Sequence, residues 1–156
     1  ACSGATSSSA NDVWYKFVAT STSYGITATS AFDGVLEVLS GTCGSLSSLG
    51  CSDEFGTNGS EQVPLTGLVP GNTYYVRYFA YNGTAGNGAF TICATALTDL
   101  IVSTPQAVGG SYYNVTVTST GAATLNDDLT VFGAMTVQNG GSVTTDATSY
   151  YIQGPG

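Results

Sequence analysis

Residues 68–81 have the sequence Leu-Val-Pro-Gly-Asn-Thr-Tyr-Tyr-Val-Arg-Tyr-Phe-Ala-Tyr. The pair Pro70-Gly71 suits the central positions of a type II turn, because proline fixes the first φ and glycine accepts a positive second φ. After the turn the residues alternate, with Tyr74 and Val76 on one face and Tyr75 and Arg77 on the other. This period of two predicts a β-strand. Both faces continue with apolar or aromatic residues, so we expect a central strand covered on both sides.

The rest of residues 1–97 contains short alternating segments and no convincing helical period. The predicted strands lie at 13–18, 24–28, 32–39 and 62–66, with a closing strand in which Phe90 and Ile92 point inward. Pro64 predicts an edge position for its strand, since proline cannot donate to a neighbouring strand. Six or seven short strands separated by turn signals indicate an all-β fold, an antiparallel β-sandwich of jelly-roll or immunoglobulin-like type.

Several of these segments carry motifs that occur together in one family. The motifs are Asn11-Asp-Val-Trp-Tyr-Lys-Phe17, Phe32-Asp-Gly-Val-Leu36, Gly41-Thr-Cys-Gly44, Cys51-Ser-Asp53 and Leu68-x-Pro-Gly-x-x-Tyr-Tyr-Val-Arg77. Over residues 1–97 the chain resembles the pre-peptidase C-terminal type of β-sandwich, which recurs in secreted proteins and adhesins of Bacteroidota-like bacteria. This resemblance implies the fold, and it does not imply one activity, because such modules accompany many activities.

The spacing from Leu68 to Tyr74 also resembles the tyrosine corner of fibronectin type III domains. In that motif the tyrosine hydroxyl ties a strand to the preceding crossover. The resemblance implies that Tyr74 is buried and that its hydroxyl is hydrogen-bonded to the backbone near Leu68 or Val69.

Composition changes after Ala96, where cysteine, tryptophan and basic residues stop. Beyond this point apolar residues recur at intervals of six, in the rows Leu125, Val131, Val137, Val143 and Leu129, Met135. Six residues per strand and turn suit one face of a triangular parallel β-helix. The alternative is a pair of ordinary hairpins. We therefore predict two domains: a disulfide-stapled sandwich at 1–97 and a β-solenoid-like or strand-exchanging segment at 98–156.

Charge is sparse: the 156 residues include two basic residues, ten acidic ones and no histidine, for a net charge of −8. No cluster of Lys or Arg is present, which argues against binding to nucleic acid or to anionic membranes. No run of 18 apolar residues occurs, so we predict no membrane insertion. The chain begins at Ala1 without a methionine, and we expect a processed or excised segment of an extracellular or cell-surface protein.

The four cysteines predict two disulfide bonds and an oxidising compartment. Three pairings are possible in principle. Cys43 and Cys51 flank a short Gly/Ser-rich loop and are expected to meet across a hairpin, which leaves Cys2 to pair with Cys93. The alternative, a metal site, lacks both a C-x-x-C spacing and a histidine.

Catalytic chemistry has few candidates in this sequence. Without histidine, neither Ser-His-Asp nor Cys-His sites can be built, and the pairs Asp53-Glu54 and Asp127-Asp128 lie in turn-like sequence. We therefore predict a protein that is not an enzyme. Asp33, Asp53 and Glu54 flank loops that could converge at one end of the sandwich, where their oxygens suit Ca²⁺. The alternative is that they are solvated turn residues.

Three N-x-S/T sequons begin at Asn58, Asn82 and Asn114. Asn58 and Asn82 lie in glycine-bearing turns, where a glycan acceptor would be exposed. Sequons also arise by chance in a chain rich in Ser, Thr and Asn.

Two functions follow from these features. The first is a non-enzymatic extracellular structural protein, a protomer or repeat of a surface filament or adhesin whose partner is another copy of itself. Its copies would join head-to-tail, because a short solenoid leaves strand edges unpaired. The alternative is a carbohydrate-binding, calcium-dependent accessory module of a secreted hydrolase, with a glycan as its partner.

Overall fold

The computed structural model of the protein describes residues 12–81, 88–146 and 149–154. These residues form fourteen β-strands and no α-helix. The chain divides into two compact units, Ala1–Ala96 and Leu97–Gly156, one residue from the predicted boundary. We call the first unit the sandwich and the second the stacked unit.

The sandwich has two antiparallel sheets, which agrees with the predicted all-β sandwich class. Its strands are β1 (Asp12–Val18), β2 (Tyr24–Ser30), β3 (Gly34–Thr42), β4 (Ser45–Ser52), β5 (Ser60–Leu65), β6 (Thr73–Ala80) and β7 (Phe90–Ala96). The strand orders are β1-β6-β3-β4 and β5-β2-β7. The predicted central strand is β6, which has a neighbour on each side. The strand that contains Pro64, β5, lies at a sheet edge as predicted.

Side chains from both sheets form the core of the sandwich. Tyr74, Val76 and Tyr78 of β6 point into it, and Ile26 and Leu36 are 0% exposed. Full burial of a side chain of this size stabilises the fold by about 1.5–3 kcal/mol. The opposite face of β6 is also covered, because its Phe79 is buried in a second small cluster.

The turn before β6 has the predicted geometry. Asn72 N–H donates to Val69 C=O at 3.1 Å, and Gly71 has a φ of 91°, which identifies a type II turn. Val69 N–H donates to the hydroxyl oxygen of Tyr74 at 2.9 Å, and Tyr74 is only 6% exposed. The predicted tyrosine corner is therefore present, with the hydroxyl as the hydrogen-bond acceptor.

The Gly/Ser-rich segment after Cys43 differs from its prediction, because it is the strand β4 rather than a loop. β3 and β4 pair antiparallel, with Thr42 opposite Ser45, so Cys43-Gly44 forms a two-residue hairpin turn. Gly44 has a φ of 92°, a conformation that glycine adopts without a steric penalty. β4 consists mainly of Ser and Gly, so it lacks the alternating apolar residues that would have predicted a strand.

The predicted bond between Cys43 and Cys51 does not fit this hairpin. Cys43 lies in the turn, whereas Cys51 pairs with Glu37 far along β4. At about 3.3 Å per residue the two cysteines lie roughly 25 Å apart, whereas disulfide-bonded Cα atoms are at most about 7 Å apart. Cys43 is instead an exposed free thiol.

The second predicted bond, Cys2–Cys93, is also not formed. Cys93 is an exposed free thiol, and Cys2 lies outside the described residues. Cys51 is disulfide-bonded, to neither Cys43 nor Cys93.

The stacked unit consists of short strands that pair in parallel. They are β8 (Leu100–Val102), β9 (Pro105–Tyr112), β10 (Val115–Val117), β11 (Ala122–Val131), β12 (Met135–Val137), β13 (Ser142–Thr145) and β14 (Ile152–Gln153). One sheet has the order β8-β10-β12, and in the other β11 pairs with β9, β13 and β14. We call β8 with β9 the first rung, β10 with β11 the second, and β12 with β13 and β14 the third.

Every pairing described in this unit is parallel, so the alternative of ordinary hairpins is wrong. The predicted six-residue row is only partly correct. Leu125 and Val131 are buried, but Val137 is 46% exposed. The stacking interval between the second and third rungs is 20 residues, since Val115 aligns with Met135.

Candidate functional site

The exposed end of the third rung is the most unusual feature of the stacked unit. In the second rung the inward side chains of Val115, Val117 and Leu125 are at most 2% exposed. In the third rung Met135 and Val143 pack against the same core but remain only partly buried. Among the residues that the structure describes, no strand covers this side of the third rung.

The backbone of β12 has one bonded side and one open side. Val115 N–H donates to Ala134 C=O at 3.0 Å, and Gln138 N–H donates to Val117 C=O at 2.8 Å. Because successive residues of a strand direct their backbone groups to alternate sides, the groups of Met135 and Val137 face away from β10. They form an edge that another strand could pair with.

The first rung also has an open strand edge, at β8. Leu100 N–H donates to Asn114 C=O at 2.8 Å, and Thr118 N–H donates to Val102 C=O at 2.9 Å. The backbone groups of Ile101 therefore face away from the stack, and its side chain is 65% exposed. Because all the pairings are parallel, the two ends of the stack are different from each other.

Asn114, a predicted glycan acceptor, connects the three rungs through hydrogen bonds. Its backbone N–H and its side-chain Nδ2 donate to Asp99 Oδ1 at 3.1 and 3.0 Å, and its Oδ1 accepts from Ala134 N–H at 3.0 Å. The nitrogen that a glycan would modify is thus engaged in a contact between rungs.

The other two sequons have different positions. Asn58 is exposed in a turn with a φ of 64°, where a glycan would have room. Asn82 lies outside the described residues. Glycosylation stays a prediction at Asn58, Asn82 and Asn114.

The predicted calcium ligands lie near a buried carboxylate that the sequence analysis did not single out. Glu61 is 2% exposed and accepts hydrogen bonds from Ser52 Oγ, from Glu54 N–H at 3.0 Å and from Phe55 N–H at 2.8 Å. Its carboxylate therefore fixes the loop after β4. Glu61 lies two residues before the inward-facing Val63, so the alternation along β5 could have predicted that Glu61 is buried.

Asp53 lies in the same electrostatic environment. Burial raises the pKa of Asp53, and the carboxylates of Asp33 and Glu61 raise this pKa further. Across residues 12–81, 88–146 and 149–154, no three His, Cys, Asp or Glu side chains are arranged to hold a metal ion. Asp33, Asp53 and Glu54 are thus not brought together as a calcium site.

The remaining acidic pair, Asp127-Asp128, lies where the pairing of β11 with β9 shifts register. Asp127 Oδ1 accepts from Asp128 N–H at 2.8 Å, and Asp128 Oδ1 accepts from Tyr151 N–H at 3.0 Å. These contacts give both carboxylates a local structural role.

A mixed aromatic and charged surface covers the outer face of β1 and β6. Trp14 is 47% exposed, and the Arg77 guanidinium carbon lies 5.5 Å from its ring centre and 4.6 Å from that of Phe79. Arg77 is held by Asp12 at 2.9 Å and by Glu37 at 3.6 Å. An exposed indole beside a fixed guanidinium can stack on a sugar ring and donate hydrogen bonds to its hydroxyls.

No family model, curated protein or solved structure matches this chain. The resemblance to the pre-peptidase C-terminal modules therefore stays a prediction from its motifs. In the part of the chain that the structure describes, no helix is long and apolar enough to span a bilayer.

Proposed function

We propose that this chain is a non-enzymatic extracellular structural protein, a protomer or repeat of a surface filament or adhesin that assembles head-to-tail through β-strand contacts. The observation that supports this proposal is the open edge of the third rung, where the backbone groups of Met135 and Val137 face away from the stack. A strand edge without a partner recruits other strands unless charge, proline or a covering element blocks it.

Partly exposed side chains also favour the addition of a strand to the third rung. Met135, Val137 and Val143 of the third rung retain solvent exposure that their counterparts in the second rung have lost. Covering these side chains would stabilise an assembly by about 1 kcal/mol each, roughly half the value of full burial. Each rung of a parallel stack contacts only its neighbours, so the third rung gains most from a further strand.

The two unlike ends of the stack favour a head-to-tail arrangement. A contact between unlike surfaces leaves one of each surface free on every dimer, so growth continues unless the rotation closes a ring. The low charge of the chain and the disulfide bond at Cys51 suit a durable extracellular assembly.

Negative-stain microscopy tests this function with a matched pair of variants. Val137→Pro removes an outward N–H and places a ring at the edge, whereas Val137→Thr keeps the N–H and the β-branched shape. We expect fibres from the native chain and from Val137→Thr. We expect none from Val137→Pro at a tenfold higher protein concentration. A folded native chain that stays monomeric at that concentration would refute the proposal.

The alternative, a carbohydrate-binding accessory module, is favoured by one observation, the exposed Trp14 beside Arg77. In this case the chain would stay monomeric and be retarded by an insoluble polysaccharide, and Trp14→Ala would abolish the retardation. Calcium dependence has no support from a set of ligands within the described residues.

A further inference from the structure

The open edge of the third rung requires a particular kind of partner strand. Within the stack, Val115 and Val117 direct their backbone groups to β12 and lie on either side of Thr136 in the register. Thr136 faces back to them, because the residues that face each other alternate along a parallel pair. Met135 and Val137 repeat this arrangement one strand further out, but no described strand faces them. A partner strand must therefore place one residue between them and direct both of its backbone groups to β12.

The strand β8 of the first rung presents such a residue. Leu100 N–H and Val102 C=O are bonded to β10, so Ile101 is the residue of β8 that directs both backbone groups away from the stack. Within the described residues β8 pairs only with β10. If β8 lay beside β12, Ile101 N–H would donate to Met135 C=O, and Val137 N–H would donate to Ile101 C=O. The first and third rungs therefore carry complementary hydrogen-bonding edges.

The side-chain pattern agrees with the same register. These hydrogen bonds would align Leu100 of one copy with Met135 of another, just as each of them is aligned with Val115 in its own chain. Leu100 and Met135 both pack against the core of the stack, so the inward face would continue across the contact. Ile101 and Thr136 would share the outward face. A shift by one residue would turn the inward side chains outward, so the core specifies the register.

We propose that β12 of one copy pairs in parallel with β8 of a second copy, with Met135 beside Leu100, so that one parallel sheet continues from chain to chain. This inference rests on the proposed function, for which it names the receiving strand and the register. The strand order β8-β10-β12 would be followed by β8-β10-β12 of the next copy. Because β8 and β12 are different surfaces, each added copy leaves one of each free for further growth.

Sequence distinguishes these two edges from the neighbouring edge of β9. β8 is Leu-Ile-Val and β12 is Met-Thr-Val, without the charge or proline that commonly blocks a strand edge. In contrast, β9 begins with Pro105, which is aligned with Ala122. Ser142 N–H donates to Gly121 C=O, so Gly121 faces β13 and Ala122 faces β9. Since only one of two aligned residues faces the other strand, Pro105 lies on the open side of β9, where it provides no donor.

Apolar side chains are exposed on both of these edge strands. Ile101 of β8 is 65% exposed and Val137 of β12 is 46% exposed, whereas β10 and β11 of the second rung have no exposed large hydrophobic residue. The second rung differs from the other two in having a described rung on each side. In the proposed contact Val137 would lie beside Val102 of the next copy, and Ile101 would lie beside Thr136. The pairing would thus give both end rungs the cover that the second rung already has.

Two variants, each blocked at one edge, test this pairing when they are mixed. Val137→Pro removes an N–H from the β12 edge and leaves β8 free, whereas Ile101→Pro removes an N–H from the β8 edge and leaves β12 free. Neither N–H bonds to β10, so the stack keeps its own hydrogen bonds. We expect neither variant to form fibres alone, and we expect an equimolar mixture to form dimers with one copy of each, measured by size exclusion with light scattering. The control Ile101→Thr keeps the N–H and the β-branched shape and should form fibres.

The outcomes separate this inference from the proposed function. Fibres from Ile101→Pro alone would overturn the inference and leave the proposed function intact, because a surface other than β8 would then receive β12. Dimers of Ile101→Pro alone would show that β12 pairs with a second β12, which also contradicts the inference. A mixture of folded variants that stays monomeric would do the same, whereas a native chain that never assembles would overturn the proposed function as well.

Hydrogen–deuterium exchange of native fibres provides a second test that needs no substitution. The amide of Ile101 should gain at least tenfold protection relative to the dilute chain. The amide of Leu100, which already donates to Asn114 C=O at 2.8 Å, should change little. Fibres in which the Ile101 amide exchanges as quickly as in the dilute chain would overturn the inference.

Discussion

Replacement of Tyr74 by phenylalanine removes one oxygen atom from the tyrosine corner. Val69 N–H donates to that oxygen at 2.9 Å, and the Tyr74 side chain is 6% exposed. The ring would keep its packing against Phe17, whose centre lies 5.8 Å away. The expected loss is therefore that of one partly buried hydrogen bond, about 1–2 kcal/mol in the free energy of unfolding. In a unit of this size, each kcal/mol lost from the free energy of unfolding lowers Tm by about 4–8 °C.

Thermal or urea unfolding followed by the fluorescence of Trp14 would measure this loss, because Trp14 reports only on the sandwich. The matched control is Tyr75→Phe, since Tyr75 points to the opposite face and its hydroxyl makes no hydrogen bond to a described residue. We expect the control to change stability by less than about 0.5 kcal/mol. Equal stability of the Tyr74→Phe and Tyr75→Phe variants would refute the role given to the tyrosine corner.

Three further predictions concern other parts of the structure. The pKa of Asp53 is raised in the folded state, so ionisation of Asp53 lowers the free energy of unfolding as the pH rises above its ordinary pKa of 3.8. Asp53→Asn removes this charge and should therefore stabilise the sandwich more at pH 7 than at pH 3 in urea unfolding. An equal effect at both pH values would contradict this prediction. A Cβ at Gly121 would clash with the backbone carbonyl oxygen of Val102 in the first rung, so Gly121→Ala should destabilise the stacked unit by about 2–3 kcal/mol. Gly56→Ala, which has open space around it, should change stability little in the same urea unfolding, and equal effects of the two changes would contradict the close packing at Gly121. Alkylation without reductant should label Cys43 and Cys93, as mapped by mass spectrometry, and an unlabelled Cys43 would argue against a free thiol there.

Turn chemistry explains which parts of the sandwich could be predicted from the sequence. The strand β6 and its tyrosine corner depend on residues within six positions of one another, so Pro70, Gly71 and Tyr74 predict them locally. The strand β4 was missed because its Ser and Gly residues form a strand only through pairing with β3. The error in the disulfide pairing followed from this, since a loop would have brought Cys43 and Cys51 together, whereas a strand separates them.

The stacked unit and the buried Glu61 also depend on contacts between residues that are distant in the sequence. The 20-residue interval can be seen when Val115-Thr-Val-Thr-Ser-Thr-Gly121 is aligned with Met135-Thr-Val-Gln-Asn-Gly-Gly141. The spacing of apolar residues predicts intervals of six, whereas the strand pairings repeat every 20 residues, from Val115 to Met135 and from Ala122 to Ser142. The role of Glu61 depends on two backbone N–H groups of a loop whose path cannot be derived from composition.

Hydrogen–deuterium exchange of residues 135–137 tests most directly whether the chain assembles through its open strand edge. In the dilute monomer the amides of Met135 and Val137 face away from β10 and should exchange quickly, whereas that of Thr136, which faces β10, should be protected. On assembly we predict that Met135 and Val137 gain protection of at least tenfold and that Thr136 changes little. Fibres that leave Met135 and Val137 unprotected, or a chain that remains monomeric, would contradict assembly through this edge.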